Sequence, residues 1–158
     1  MANIIECPII CTRGAIIFPG QDMSLDVGRQ ASVDVVNFSL NMNLDVILVS
    51  QKNIDIDEPK KNDLYEIGTI CHIRASRKRD DHLKVVFVGE DRCRLIEIYE
   101  IDGIKYKIMG AHKKGVDVVL VPSSNYEEAM RVKKDKGYDM EIVEVKTFSD
   151  AVNYLKNS

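Results

Sequence analysis

The sequence lacks an excess of basic residues, a long apolar run, a close cysteine pair and a phosphate-binding glycine loop. Lysine and arginine number 22 against 25 aspartates and glutamates, a formal charge of −3. That balance argues against a general electrostatic grip on nucleic acid or an anionic membrane. No apolar stretch approaches the ~20 residues needed to span a bilayer. The first ten residues carry Glu6 and Pro8 and no basic residue, so they do not read as a secretory signal, and the chain is taken to start at a natural Met. Cys7 and Cys11 stand four apart and are a possible half of a metal site. The apolar Ile9-Ile10 between them reads instead as a strand entering a core. With Cys71 and Cys93 they are expected to be free, mostly buried thiols of a cytoplasmic protein, and no metal is expected. A phosphate cradle needs Gly-x4-Gly-Lys-Ser/Thr. Gly14 and Gly20 are six apart and are followed by Gln21-Asp22, whose carboxylate would repel phosphate. No cofactor is expected.

What is present suits one ordinary domain or two small ones: 158 residues, 45% of them hydrophobic. Residues 4–10 read as a short strand, Thr12-Arg13-Gly14 as a turn, and Ala15 to Phe18 as a second apolar run. Pro19-Gly20 forces a turn. Met23, Leu25 and Val27 alternate with Ser24 and Asp26, the period of a half-buried strand. Residues 29–42 have helical spacing at Val33, Val36 and Leu40, with Val35 and Phe38 widening the apolar face. Further strands are read over 44–49, over 63–73 with a bulge or close backbone approach at Gly68, over 83–88, and over 93–99 with Cys93 and Leu95 inward against Arg94. A polar loop with Pro59 and a charged hairpin tip at Arg77 to Asp81 separate them. This is a mainly-β pseudo-barrel with one helix.

After residue 102 the pattern changes to α-β-α-β-α. A helix over 105–114 stops at Gly115 and a strand over 116–121 ends at Pro122. A helix capped by Ser123 or Ser124 carries Glu127-Glu128 early and Lys133, Lys134 and Lys136 late, and ends at Gly137. A strand over 140–145 follows. Thr147 then opens a last helix with Phe148, Ala151, Val152 and Leu155 on one side. The order implies two parallel strands. The expected class is therefore α+β, with units 1–102 and 103–158, the second small enough to be marginal alone.

Cys7-Pro8-Ile9, Ile16-Ile17-Phe18-Pro19-Gly20, Leu25-Asp26-Val27-Gly28-Arg29, Leu48 to Lys52, Asp57-Glu58-Pro59, Asp63 to Thr69 and Val88 to Arg94 occur in an order and spacing that resemble the N-terminal domain of the Lon protease family. Gly103 to Gly115, Val118 to Pro122, Asn125 and Glu144 to Thr147 are similar to the end of that family's proteolytic domain, with Asp102 standing where the family has a glycine. The resemblance implies a PUA-like fold for the first part, and a chain joining Lon's beginning to its end without the ATPase module and the catalytic-serine segment.

By that resemblance Lys107 falls at the lysine of a Ser-Lys dyad, in which a lysine takes the serine proton and the serine attacks the peptide carbonyl. The partner serine would sit in a Gly-Pro-Ser-Ala-Gly-like turn, and Ser123-Ser124 lacks those glycines. Lys107 therefore reads as a solvated helix lysine, and the chain as non-catalytic. What the resemblance leaves is binding of unfolded or damaged protein segments, with self-association or complete Lon as further partners. Ile16, Ile17, Phe18 and Met23, near turns, are the candidate apolar patch, against the alternative that Ile16 to Phe18 are simply core. Two competing functions stay open. One is a fragment active only when the missing parts of an ATP-dependent endopeptidase are supplied. The other is a PUA-like RNA-binding protein using Arg74, Arg77, Lys78 and Arg79, although Asp80-Asp81 cancels much of that field and no aromatic lies within the run. His72, His82 and His112 read as separate strand or surface residues.

Overall fold

The computed structural model describes residues 3–98 and 103–157. The chain divides into two units, Met1–Ile98 and Tyr99–Ser158. In the first, β1 (Ile9–Thr12), β2 (Asp22–Val27), α1 (Gln30–Met42), β3 (Val46–Ser50), β4 (Ile67–Lys78) and β5 (Leu83–Arg94) form one five-stranded sheet and one α-helix. The strand order is β1-β3-β4-β5-β2. β1 runs parallel to β3 and every other pair is antiparallel. One core takes Ile10 from β1 and Val27 from β2, the two edge strands, together with Val36, Val46, Cys71, Val85 and Phe87. Sharing a core between opposite edges requires the sheet to curl around it, with α1 as the helical cover.

Local chemistry explains where the elements fall. β1 begins later than the expected 4–10, because Pro8 has no N–H to donate. Its carbonyl still accepts from Ile47 N at 2.7 Å. α1 turns Val36, Ser39 and Met42 inward, and Leu40 is exposed. Ser39 holds the slot that the spacing assigned to Leu40.

β4 and β5 are each twelve residues long. The strand expected over 83–88 runs on through Arg94; of the strand expected over 93–99 only Cys93 and Arg94 belong to it, residues 95–98 are not strand, and Tyr99 lies outside the described residues. Two bulges interrupt the ladder, where Cys71 pairs with Gly89 but Ile70 with Asp91, and where Ile73 pairs with Phe87 but Ala75 with Val86. Glu90 on β5 and Arg74 on β4 are the extra residues, and each reverses the alternation beyond it. The close approach expected at Gly68 is real. A Cβ there would lie 2.9 Å from both Leu48 O and Ile47 Cγ2. The bulge falls two residues further on.

The second unit holds α2 (Gly103–Lys113), β6 (Val118–Pro122), α3 (Ser123–Lys136), β7 (Glu141–Val145) and α4 (Phe148–Asn157). β6 and β7 are parallel, in register from Val118↔Glu141 to Pro122↔Val145. Ile104, Ile108, Val121, Ala129, Val132, Met140 and Ile142 form its core. Gly115 and Gly137 both take φ +67° and end their helices. α3 is preceded by Pro122 with no side-chain cap. Ser123 and Ser124 are thus in its first turn, and Glu127-Glu128 fall in the second. On α4, Ala151 and Val152 are half-buried while Phe148 and Leu155 are exposed. The boundary expected after Asp102 lies outside the described residues.

Candidate protein-binding groove

The groove forms where the core face of the first unit's sheet runs past its cover. Register aligns Leu48, Thr69 and Arg92 across β3, β4 and β5. Residues two apart share a face, so Tyr65 and Ile67 continue the face of Thr69 toward the strand's start. Over this row lies the 13–21 loop. It is stitched down by polar contacts. Thr12 Oγ1 donates to Ala15 O at 2.6 Å, Gly14 N to Ser50 Oγ at 3.2 Å, and Thr69 Oγ1 to Ile17 O at 2.7 Å. Gly20 N donates to Gly89 O and Gly89 N to Gln21 O, both at 2.8 Å. Gln21 also closes the Pro19-Gly20 turn, its side-chain oxygen accepting from Phe18 N at 3.2 Å.

These contacts sort the apolar run. Ile17 points into the core and is 2% exposed, whereas Ile16 and Phe18 are 56% and 45% exposed. Tyr65 and Ile67 opposite them are 53% and 44% exposed. Together they rim a groove of about 300 Å³ floored by Leu48, Gly68 and Thr69. Of the four candidate patch residues, Ile16 and Phe18 form the open wall and Ile17 anchors it. Met23 is half-buried on β2, packed against the core and not among the groove's lining residues.

Sequence reasoning missed Tyr65, Ile67 and Arg92. Alternation read straight through Glu90 turns Cys93 inward. With the bulge, Arg92 and Arg94 share the face of Thr69 and Ile67. The Arg92 guanidinium carbon lies 5.1 Å from the Phe18 ring centroid, a cation–π distance. The order Val88-Gly89-Glu90-Asp91 was the available signal, since a glycine inside a strand marks a bulge or a close backbone approach.

The other singled-out groups are not among the groove's lining residues. Lys107 is exposed on α2, in the second unit, and among the described residues no serine hydroxyl is hydrogen-bonded to it. His72 Nδ1 is 3.2 Å from Asp45 Oδ1, His82 Nδ1 is 2.6 Å from Asp81 Oδ1, and His112 stacks on Tyr138 at 3.8 Å. Arg74 is ion-paired with Asp22, and Arg77, Lys78 and Arg79 are exposed at the hairpin. All four cysteines are unpaired. Burial pushes Cys7 up to about 12, helped by the nearby Asp45 carboxylate, and pushes Cys71 up to about 11. Cys11 and Cys93 are also raised by burial. Such thiols stay protonated and are poor nucleophiles. Among the described residues no group of three or more His, Cys, Asp or Glu side chains is arranged for a metal ion, and no helix is long and apolar enough to cross a membrane.

Residues 6–151 match the family model described as the ATP-dependent protease La (LON) substrate-binding domain. The chain belongs to the Lon substrate-binding domain family. It is 37% identical over 99 residues to the Lon protease of Halothermothrix orenii, covering 62% of this chain and 13% of that protein. It is 30% identical over 127 residues to the Lon protease of Malacoplasma penetrans, covering 78% of this chain and 16% of that protein. The chain therefore spans less than a fifth of the length of these relatives. A crystal structure of a Lon N-terminal domain protein from Xanthomonas campestris aligns with a TM-score of 0.49 at 17% identity, over 63% of this chain and 54% of that one.

Proposed function

We propose that this chain is a non-catalytic module that binds unfolded or damaged protein segments, and that Ile16 and Phe18, with Tyr65 and Ile67, are the surface that does so. The single observation that supports this is four exposed large apolar side chains gathered around one groove. Such a surface has no role in the unit's own core, and apolar clefts of this kind accept apolar segments. Buried Ile17 holds the wall in place, and Met23 supports the core behind it. Self-association and association with complete Lon proteases belong to the same proposal, as does a cytoplasmic setting, which the four unpaired thiols favour.

The second unit's likeness to the end of the Lon proteolytic domain is part of our reading. Its support is the resemblance of Gly103 to Gly115 and Val118 to Pro122, together with the alternating helix–strand order, while the substrate-binding-domain match itself runs on to residue 151. Lys107 then falls at the dyad-lysine position but acts as a solvated helix lysine with no nucleophile beside it, and hydrolysis is not its role.

The test is binding of the purified chain to a fluorescent unfolded protein such as reduced, carboxymethylated lactalbumin. Ile16→Ser sits at an exposed position and should leave stability within about 0.5 kcal/mol. It should weaken binding about tenfold, the scale of an interface anchor. In a casein degradation assay with ATP, the chain should be inactive alone and should compete when added to a complete Lon protease. Binding that is indifferent to Ile16→Ser, or casein cleavage by the chain alone, would overturn the reading.

A further inference from the structure

The groove carries one charge, and it is positive. Arg92 is the only ionisable cation among its lining residues, and none of them is acidic. Its neighbour Arg94 is paired with Glu66 at 3.5 Å, Arg13 with Asp57, and Arg74 with Asp22. The Arg92 guanidinium has no carboxylate ion pair among the described residues, although its backbone N–H donates to Asp91 Oδ1 at 2.7 Å. Its guanidinium is instead laid over the Phe18 ring, which keeps it at the groove's rim. On a chain of net charge −3, an unpaired guanidinium held beside an apolar cleft is a complementary site for a carboxylate. The Tyr65 hydroxyl, on the opposite rim, is a second donor with no partner among the described residues.

A ligand must then present an apolar side chain and a carboxylate together. Within an extended segment, neighbouring side chains point to opposite faces, so an aspartate beside an apolar residue faces away from the groove. Only the last residue of a chain carries both groups on one Cα. The groove, at about 300 Å³, lies at the small end of ligand sites, which suits a chain end better than a long internal segment. Resting on the protein-binding reading above, we infer that the groove selects the free C-terminal end of apolar polypeptide, with Arg92 taking the terminal carboxylate and the cleft of Ile16, Phe18 and Ile67 taking the last side chain.

Fluorescence anisotropy on the full chain tests this with three labelled ten-residue peptides: one ending in Leu-Phe as the free acid, the same peptide amidated, and an amidated peptide with an aspartate two residues before the phenylalanine. The free acid should bind about fivefold more tightly than the amide, the scale of an exposed charge pair, and the preference should shrink with salt. Arg92→Gln should abolish the preference while the amide still binds, and Arg92→Lys should restore part of it. Equal binding of acid and amide to the unaltered chain overturns the carboxylate role and leaves the groove reading standing. An internal aspartate that replaces the free acid in full overturns the choice of a chain end. Failure of every peptide to bind, or binding unaffected by Ile16→Ser, overturns the groove reading itself.

Discussion

Gly89 is where a missing side chain shapes the groove most directly. It pairs with Cys71 in the β4–β5 ladder, and the turn that follows Phe18 lies against it. A Cβ at this position would stand 2.3 Å from Phe18 O and 2.9 Å from Phe18 C. Both are backbone atoms tied down by hydrogen bonds, so neither can yield as a flexible side chain would. Gly89→Ala should therefore cost about 1–3 kcal/mol by overpacking, read as a lower urea midpoint. It should also weaken unfolded-protein binding, because Phe18 must move. Unchanged stability would mean that the 18–21 turn is not pinned as described. The residues themselves announced a turn at Pro19-Gly20 and an apolar run before it. They did not announce which of the three apolar side chains would face water. That depended on the Thr69 hydroxyl, fifty-two residues away, taking the Ile17 carbonyl and fixing the run's rotation.

Among the elements, α4 has the most explicit local code. Thr147 Oγ1 accepts from Asp150 N at 3.2 Å, and Asp150 Oδ2 accepts from Thr147 N at 2.8 Å, a reciprocal capping box that also takes Lys146 N at 3.2 Å. The hydrogen bonds from Thr147 hold the Asp150 carboxyl below its ordinary value. A depressed carboxyl contributes stability above its unfolded pKa and loses it as pH falls through the folded one. The α4 amides should thus be protected from hydrogen exchange near neutrality and lose protection as pH drops below the ordinary carboxylate range. Thr147→Ala should produce the same fraying at neutral pH, at a cost of about 1 kcal/mol to the helix. Protection that is flat with pH and unaltered by Thr147→Ala would show that tertiary packing, not the cap, holds the helix. Thr147 as the opening of a helix is legible from neighbours alone. The twelve-residue β4 and β5 are not, because the bulges at Arg74 and Glu90 break the period-two signal while the ladder continues.

The molecule as a whole contains two cores that share no residue, one built from Ile10 through Phe87 and the other from Ile104 through Ile142. The first unit satisfies its sheet and buries its helix within itself. Residues 1–98 produced alone should accordingly retain dispersed NMR signals and a cooperative thermal transition. The second unit, with two strands, should melt less cooperatively and at lower temperature when isolated. Loss of cooperative melting in the 1–98 fragment would contradict the separate cores. Composition and local pattern were enough to determine that the protein is α+β and that helix and strand alternate after residue 102. These properties rest on periodicity and on residues close along the chain. The groove was decided only by tertiary structure. Its wall, floor and single cation come from residues 16–18, 48, 65–69 and 92, and they meet because a bulge turned Arg92 over and a distant hydroxyl turned Ile17 in. Long-range register of that kind leaves no periodic trace in any one segment.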